Sequence, residues 1–280
     1  MTVAWWAMAS GAVGAVVAAL IAPPAIRRAP ANLVRMNVSG RPVPAVLGWV
    51  LCAGALAGLA VAVLIDRTLD SGGFTTRVAA ATGLLVVGMG AAGYADDRRG
   101  DEGSRGFGGH LRAAFSGRIT GGAIKVVVGG LVSLAAGVLV WGLDDPADVL
   151  TTALGVALTA NLLNLFDREP GRAAKVGLLL LLPGLALAEF GWPLAVAGIT
   201  GALVACLPLD LRERAMLGDV GANPLGAVAG LGLCLATSLG ARIGLVLLLL
   251  GLNLASERIS FSTVIERTPW LAAADRWGRA

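Results

Sequence analysis

Charged residues are scarce in this chain of 280 residues, of which only 14% are Asp, Glu, Lys or Arg. A water-soluble domain carries about a quarter charged residues, so this composition excludes an ordinary soluble protein. Apolar residues make up 56% of the chain, and the mean hydropathy is +0.79. Apolar runs of about 17–25 residues recur, which is the signal of transmembrane helices. The sequence therefore predicts an all-α, polytopic integral membrane protein.

Cysteine and histidine are nearly absent. The three cysteines, Cys52, Cys206 and Cys234, lie inside apolar runs, which predicts packing rather than disulfides or a metal site. The single histidine, His110, cannot form a zinc-type histidine pair. The sequence also contains no Walker sequence, dinucleotide fingerprint or CxxC pair. The sequence therefore gives no indication of a common nucleotide-binding motif or of a zinc site.

About nine apolar segments are expected to span the membrane. Their bounds are about 3–22, 45–65, 78–95, 119–141, 149–166, 174–189, 192–209, 220–238 and 241–256. Residues 1–256 then form a single transmembrane domain. Residues 257–280 form a tail in which apolar and charged positions alternate at helical spacing. Trp270 and Trp277, with neighbouring arginines, predict an amphipathic helix at the cytoplasmic membrane surface, where a surface anchor is the simplest role.

Basic residues divide the loops into two classes. The arginine-rich class comprises loops 23–44, 98–118, 167–175 and 210–219 and the tail. The opposite loops hold only Arg67, Arg77 and Arg242, together with the acidic stretch Asp144–Asp148. By the positive-inside rule the N-terminus is outside and the C-terminus is cytoplasmic. The net charge of +4 therefore reflects topology and does not indicate nucleic-acid binding.

Two adjacent carboxylates close the third segment at its predicted cytoplasmic end. They are Asp96 and Asp97, in the stretch "GYADDRRGD". A helix C-terminus carries partial negative charge, and neighbouring carboxylates repel each other, so this placement is unfavourable without a bound cation or a reacting proton. The simpler alternative is a pair of solvated loop residues.

The fifth segment ends in three polar residues spaced by three, Asn161, Asn164 and Asp167. This spacing puts them on one side of a helix. Polar groups partly within a membrane cost several kcal/mol unless they have partners. They are therefore expected to bind each other, a neighbouring helix or a polar ligand.

The stretch "MLGDVGANPLG" opens the eighth segment with Gly218 and Asp219. A simple helix cap is one interpretation, and an anion site at a glycine-rich helix N-terminus is another. Lys125 lies about two turns into the fourth segment, where it either extends to the membrane surface or faces the acids. His110 lies in "GFGGHLR" on the long loop, where an ordinary loop residue is the simplest interpretation.

These polar residues all map to the cytoplasmic ends of the segments, with basic residues around them. Carboxylate and amide oxygens suit Mg²⁺, a hard cation that takes a few carboxylates and completes its shell with phosphate oxygens. The sequence therefore predicts a metal–phosphate site at the membrane surface.

Four stretches in this order resemble a known family. "NVSGRPVPAVLG" (Asn37–Gly48) is similar to its first cytoplasmic loop, "DDRRGD" to its paired aspartates, "NLLNLFD" to its Asn-x-x-Asn-x-x-Asp motif, and "LGDVGANPLG" to its Gly-Asp-x-Gly-Ser-x-x-Leu-Gly motif. The family is that of the polyprenyl-phosphate N-acetylhexosamine-1-phosphate transferases, which includes phospho-N-acetylmuramoyl-pentapeptide transferase. The resemblance runs from Asn37 to Gly226, most of the chain.

The resemblance implies that a polyprenyl phosphate attacks the β-phosphorus of a UDP-sugar, giving a lipid diphosphate-sugar and UMP, in cell-envelope glycan synthesis at a bacterial plasma membrane. It implies Mg²⁺ as cofactor, and membrane lipids and nucleotide sugars as partners, and it leaves a homodimer open. The implied roles are metal binding by Asp219, catalysis by Asp96 and Asp97, and substrate binding by Lys125, Asn161, Asn164, Asp167, Gly218 and His110.

The chain departs from the family pattern after Asp167. The family places glycine there, whereas this chain continues with Arg168, Glu169 and Pro170. The family also has a histidine-bearing loop before its last span, and ten or more spans. The resemblance is thus to a divergent branch, and a non-catalytic scaffold that binds a lipid phosphate is the alternative function. A transporter fits less well, because transporters place ionisable groups near the bilayer midplane.

Overall fold

The computed structural model of the chain describes residues 2–69, 74–99, 121–187 and 191–279. The long helices in these ranges are α1 (Thr2–Arg27), α2 (Leu47–Leu69), α3 (Phe74–Arg99), α4 (Gly121–Trp141), α5 (Pro146–Phe166), α6 (Arg172–Leu187), α7 (Gly191–Leu211), α8 (Asp219–Leu235) and α9 (Leu239–Ser256). Two short helices follow, α10 (Phe261–Arg267) and α11 (Pro269–Arg276). The tail thus forms two helices rather than one.

Helices dominate the described part of the fold, so the prediction of an all-α protein is confirmed. Each of the predicted apolar segments coincides with one of α1–α9. Six stretches in the described ranges are long and apolar enough to cross a membrane: Ala4–Arg27, Leu47–Thr68, Thr76–Asp97, Pro146–Phe166, Gly191–Leu211 and Leu239–Ser256. The described apolar parts of α4 and α8 are shorter. The count of nine spans and the orientation of the termini stay predictions.

Glycines let α1 and α7 pack backbone against backbone. A methyl group added at Gly14 would overlap the carbonyl group of Gly198, and one at Gly201 would overlap that of Gly11. In a membrane, where apolar side chains gain little by leaving lipid, close packing of small residues is a main source of helix association. Helix α2 packs on both α1 and α7 and completes this part of the bundle.

Helix α8 is the buried centre of the other part of the bundle. Nearly every residue from Val220 to Cys234 is buried, and the helix packs on α3, α5 and α6. A methyl group at Gly93 of α3 would overlap the carbonyl group of Asp219. One at Gly226 would lie 2.7 Å from the Cα atom of Ala160 in α5. These glycines bring the ends of α3 and α5 against the start of α8.

A buried arginine joins α4, α5 and α8 at the opposite end of these helices. Arg242, at the start of α9, donates to the carboxylate of Asp148 at 2.7 Å and to the carbonyl groups of Cys234 (3.1 Å) and Thr237 (3.0 Å). Its guanidinium also lies 4.5 Å from the ring centre of Trp141, a cation–π contact. We call this group the Arg242 clamp. It ties the end of α4, the start of α5 and the end of α8 together.

A small hairpin lies between α1 and α2, and the sequence analysis did not predict it. Strands β1 (Val34–Met36) and β2 (Pro42–Pro44) pair antiparallel. Proline is tolerated in such short edge strands, which leave some backbone groups unpaired in any case. Met216 donates from its backbone N–H to the carbonyl group of Pro44 at 2.9 Å. The hairpin is thereby joined to the segment that leads into α8.

Candidate functional site

Lys125 lies at the centre of a polar cluster built from four helices. Its ammonium group donates to the carboxylate of Asp219 and lies 3.6 Å from that of Asp96. With the amide of Asn164 oriented to satisfy its neighbours, its nitrogen donates to Asp219 Oδ1 at 2.8 Å and its oxygen accepts from Lys125 Nζ at 3.0 Å. We call Asp96, Lys125, Asn164 and Asp219 the Lys125 cluster. The structure thus brings together four residues that the sequence analysis singled out.

The position of each member follows from the helices. Asp219 lies in the first turn of α8, where the helix dipole favours a carboxylate. Asp96 lies in the last turns of α3, where the dipole opposes one, so the nearby ammonium of Lys125 compensates. The side chains of Lys125, Asp96 and Asp219 are 17%, 31% and 23% exposed. The cluster is therefore partly shielded from solvent yet still reachable by a ligand.

Asp97 and Gly218 lie beside the cluster. Arg35 of β1 donates to the backbone carbonyl of Asp97 at 2.8 Å, so the hairpin is fastened to the end of α3. A methyl group at Gly218 would lie 3.5 Å from the carboxylate of Asp97. Gly218 also has φ +62°, a conformation that glycine adopts without a steric penalty. The glycine predicted for substrate binding is thus required by the backbone turn itself.

Asp167 ends α5 and faces the same turn. The backbone N–H of Gly218 is its hydrogen-bond donor. Burial, followed by the charges of Asp210, Asp219 and Asp97, raises the pKa of Asp167 well above its ordinary value, and the Gly218 donor only partly offsets this. A carboxyl group in such surroundings binds a proton or a positively charged ligand readily.

Asn161 and His110 lie elsewhere. The amide of Asn161 donates to the side chain of Asn253 in α9 at 2.6 Å, and Asn253 donates to the carbonyl group of Leu158 at 3.2 Å. Asn161 therefore takes part in a contact between α5 and α9, an alternative that the sequence left open. His110 lies outside the described residues.

The oxygen atoms at the cluster suit Mg²⁺. Mg²⁺ is commonly held by one or two carboxylates, with substrate phosphates and water completing its shell. Asp219, with Asp96 or Asp97, and the amide oxygen of Asn164 offer such a donor set. In the described ranges no group of three or more His, Cys, Asp or Glu residues is close enough to hold a metal by itself. The donors thus fit an ion shared with a phosphate-bearing substrate.

A cavity of about 450 Å³ has Asp167 as one of its lining residues. Its walls are the hairpin, the turn after α5, the segment between α7 and α8, and Ser262 of the tail. The lining residues are Met36, Asn37, Val38, Val43, Asp167, Arg168, Glu169, Pro170, Asp210, Glu213, Ala215, Met216 and Ser262. The size is that of a small-molecule site.

Sequence reasoning missed Asp210, the most buried carboxylate of this cavity. Its side chain is 4% exposed, and Oδ2 has no hydrogen-bond partner among the described residues. The backbone N–H of Gly171 is a donor to the same carboxyl group. The signal in the sequence was the acid in "LPLDL", which comes directly after the predicted span 192–209.

Glu213 closes one wall of the cavity. Its carboxylate accepts from the amide of Asn37 and, at 3.2 Å, from the hydroxyl of Ser39. These bonds hold the hairpin against the segment before α8. Glu213 has φ +54°, which is strained for a residue with a side chain.

The charged turn after Asp167 binds the tail. Arg172 donates to both oxygens of Asp275 at 2.8 Å and to the hydroxyl of Ser262 at 2.8 Å. Arg279 pairs with Glu169 at 2.8 Å and with Asp275 at 2.6 Å. Burial would raise the pKa of Asp275, but the hydrogen bond and charge of Arg172, with Arg279, hold it below its ordinary value. Glu169 and Arg172 of this turn thus have charged partners in the tail.

These features identify the chain as a helical membrane protein that has a polar cluster at one end of its helix bundle and an acidic cavity. No model of a known protein family matches the chain, and no curated protein matches it significantly. A functional assignment therefore rests on the cluster and the cavity.

Proposed function

We propose that the chain transfers a sugar-1-phosphate from a UDP-sugar to a polyprenyl phosphate in cell-envelope glycan synthesis. An oxygen of the lipid phosphate forms a bond to the β-phosphorus of the donor. The bond between that phosphorus and the oxygen bridging to the α-phosphate breaks, and UMP leaves. The products are the lipid diphosphate-sugar and UMP.

The observation that supports this proposal is the convergence of Asp96, Lys125, Asn164 and Asp219 from four helices. Phosphoryl transfer needs little covalent chemistry from a protein, and catalysis comes mainly from positioning and charge neutralisation. A lysine between two carboxylates, with an amide on the same carboxylate, provides an ammonium for a phosphate and oxygens for a cation. Three of these residues fall in stretches that carry the family resemblance.

Each residue then has a role in the transfer. Asp219, with Asp96 or Asp97, would hold Mg²⁺, which supplies charge neutralisation at the transferring phosphate when bound. Lys125 binds a phosphate oxygen of the donor. Asn164 fixes the carboxylate of Asp219. Asp97, whose backbone is held by Arg35, accepts the proton of the lipid phosphate.

The predicted topology fits this proposal. With nine spans, the N-terminus outside and the C-terminus inside, the Lys125 cluster lies at the cytoplasmic surface of a bacterial plasma membrane. A site at that surface takes its lipid from the bilayer and its nucleotide from the cytosol.

The test is release of UMP by the purified protein in detergent. The reaction contains undecaprenyl phosphate, Mg²⁺ and a panel of UDP-sugars. We expect release that requires lipid and Mg²⁺ and that falls at least about a hundredfold in Asp219→Asn, the loss typical of removing a key electrostatic contact. Asp144→Asn, which removes an exposed carboxylate between α4 and α5, is the matched control. Unchanged release by Asp219→Asn would overturn the proposal.

The second candidate is a scaffold that binds a lipid phosphate without turning it over. The observation that favours it is the turn after Asp167, where Glu169 and Arg172 bind the tail. This candidate predicts that undecaprenyl phosphate binds in a Lys125-dependent way while no UDP-sugar of the panel yields UMP.

A further inference from the structure

The cavity beside Asp167 differs in charge from the Lys125 cluster. Its lining includes four carboxylates, Asp167, Glu169, Asp210 and Glu213, and among the described lining residues Arg168 is the one basic side chain. A phosphate group placed in this cavity would face several carboxylates, so the cavity does not suit the diphosphate of a nucleotide. It suits a neutral or positively charged group.

Two of the four carboxylates already have side-chain partners. Glu169 pairs with Arg279, and Glu213 accepts from Asn37 and Ser39. Asp210 is only 4% exposed. Its Oδ2 nevertheless has no hydrogen-bond partner among the described residues. A buried carboxyl oxygen without a hydrogen-bond donor is unfavourable, so a ligand that supplies the donor relieves that penalty.

The cations near Asp210 are already engaged. Lys175 and Arg279 act on its carboxylate through their charge. Lys175 donates to the carbonyl groups of Ala274 and Trp277 at 3.1 and 3.2 Å, and Arg279 donates to Glu169 and Asp275. Both side chains therefore hold the tail, and Oδ2 of Asp210 still lacks a donor.

A second carboxylate lies within electrostatic reach. Asp167 and Asp210 both line the cavity, and after burial the charge of Asp210 is the largest cause of the raised pKa of Asp167, so the two carboxylates repel each other. In the described ranges no group of three acids, histidines or cysteines could hold a metal ion here. Two carboxylates are too few protein ligands for a metal ion, whereas an organic cation with several N–H groups can donate a hydrogen bond to each of them.

We propose that the cavity binds an ammonium group between Asp167 and Asp210. Resting on the proposed transfer, this site would make the donor a UDP-hexosamine whose amine is free rather than acetylated. The apolar side chains of Val43, Pro170 and Met216 then cover the sugar ring, and Asp210 becomes the residue that selects the amine.

The test compares UDP-glucosamine with UDP-N-acetylglucosamine, by equilibrium binding and by UMP release. We expect wild type to bind UDP-glucosamine at least about tenfold more tightly, as a fully satisfied buried charge pair allows. In Asp210→Asn this preference is lost, while binding of UDP-N-acetylglucosamine stays within about twofold. Asp210→Ser is the second variant, in case the first does not fold, and Asp144→Asn is the control. Equal binding of the two donors by wild type would overturn the amine site.

A third arm separates this proposal from the transferase. Glucosamine alone is measured against N-acetylglucosamine, with no nucleotide present. Asp210-dependent binding of glucosamine without UMP release from any donor would support the amine site and overturn the transfer. Equal UMP release from both donors, unaffected by Asp210→Asn, would support the transfer and overturn the amine site.

Discussion

Arg172 and Asp275 are 103 residues apart in the chain and form a two-point ion pair, with both N···O distances at 2.8 Å. The side chains are 4% and 9% exposed, so the pair is shielded from water. Two parallel N–H···O bonds fix the orientation of both partners as well as their distance. The tail is thereby held at a defined place over the turn that follows Asp167.

Removing one partner of this pair is expected to release the tail. In Asp275→Asn the guanidinium of Arg172 loses its charged partner, and breaking a buried pair in this way costs about 3–5 kcal/mol in general. We expect a lower midpoint of thermal unfolding in detergent and faster tryptic cleavage after Arg267. The exposed Arg276→Gln change is the control. Cleavage at the wild-type rate in Asp275→Asn would contradict this account of the tail.

Asp167 is expected to destabilise the folded protein at neutral pH. Its pKa is raised in the folded state, so the unfolded state, at its ordinary value of 3.8, gives up the proton more readily. The protonated Asp167 carboxyl group favours the folded state. Its contribution to the free energy of unfolding is therefore lost as the pH rises from 3.8 through the raised pKa, and it is regained as the pH falls back toward 3.8. Asp167→Asn removes the repulsion from Asp210 and Asp219.

The measurement is the unfolding midpoint of wild type and Asp167→Asn between pH 5 and pH 9. We expect the variant to be more stable at high pH, with a difference that shrinks as the pH falls. A constant difference across the range would show that the carboxyl group of Asp167 does not titrate as described. Asp144→Asn again provides the control, because its side chain is exposed.

Lys125 is expected to stabilise the cluster as a cation. In Lys125→Met, Asp96 and Asp219 lose their shared ammonium while an unbranched apolar chain of nearly the same length remains. We expect a lower unfolding midpoint than wild type and a larger stabilisation on adding Mg²⁺, because a second cation then replaces the lost one. Lys125→Arg should keep more of the stability. An identical response of all three proteins to Mg²⁺ would exclude a metal at this position.

Gly93 is expected to be intolerant of any side chain. A methyl group there would overlap the carbonyl group of Asp219, so Gly93→Ala must push α3 and α8 apart at the cluster. Such overpacking costs about 1–3 kcal/mol. Gly130 of α4, where an added methyl group meets nothing within 4 Å, is the matched control. Comparable unfolding midpoints for Gly93→Ala and Gly130→Ala would contradict the close approach of α3 to α8.

Much of the fold followed from local sequence because a long apolar run specifies a helix without reference to the rest of the chain. The cluster followed in part, since Asp96, Lys125, Asn164 and Asp219 all fall at one predicted end. The spacing of Asn161 and Asn164 could not show which neighbouring helix each would meet, and the structure turns Asn161 to Asn253. That choice is made by packing between distant segments.

The hairpin and the tail contacts were beyond sequence reasoning for the same reason. Strands of three residues carry little local signal, and β2 is stabilised by the backbone of Met216 far along the chain. In the sequence, Glu169 is only a departure from a motif, whereas the structure pairs it with Arg279 of the tail. Asp210 likewise became notable only once its oxygen was seen to lack a partner.

The Arg242 clamp and the Lys125 cluster hold opposite ends of the same three helices, α4, α5 and α8. At 1.5 Å per residue, the 17 residues of α8 place these two points about 25 Å apart. The clamp end is closed by one buried guanidinium, while the cluster end is joined by groups that a ligand or a cation can compete for. We therefore expect a change in charge at Lys125 to alter the separation of α4, α5 and α8 at the cluster end, where the contacts are polar and partly exposed, and to leave the buried contacts of Arg242 in place.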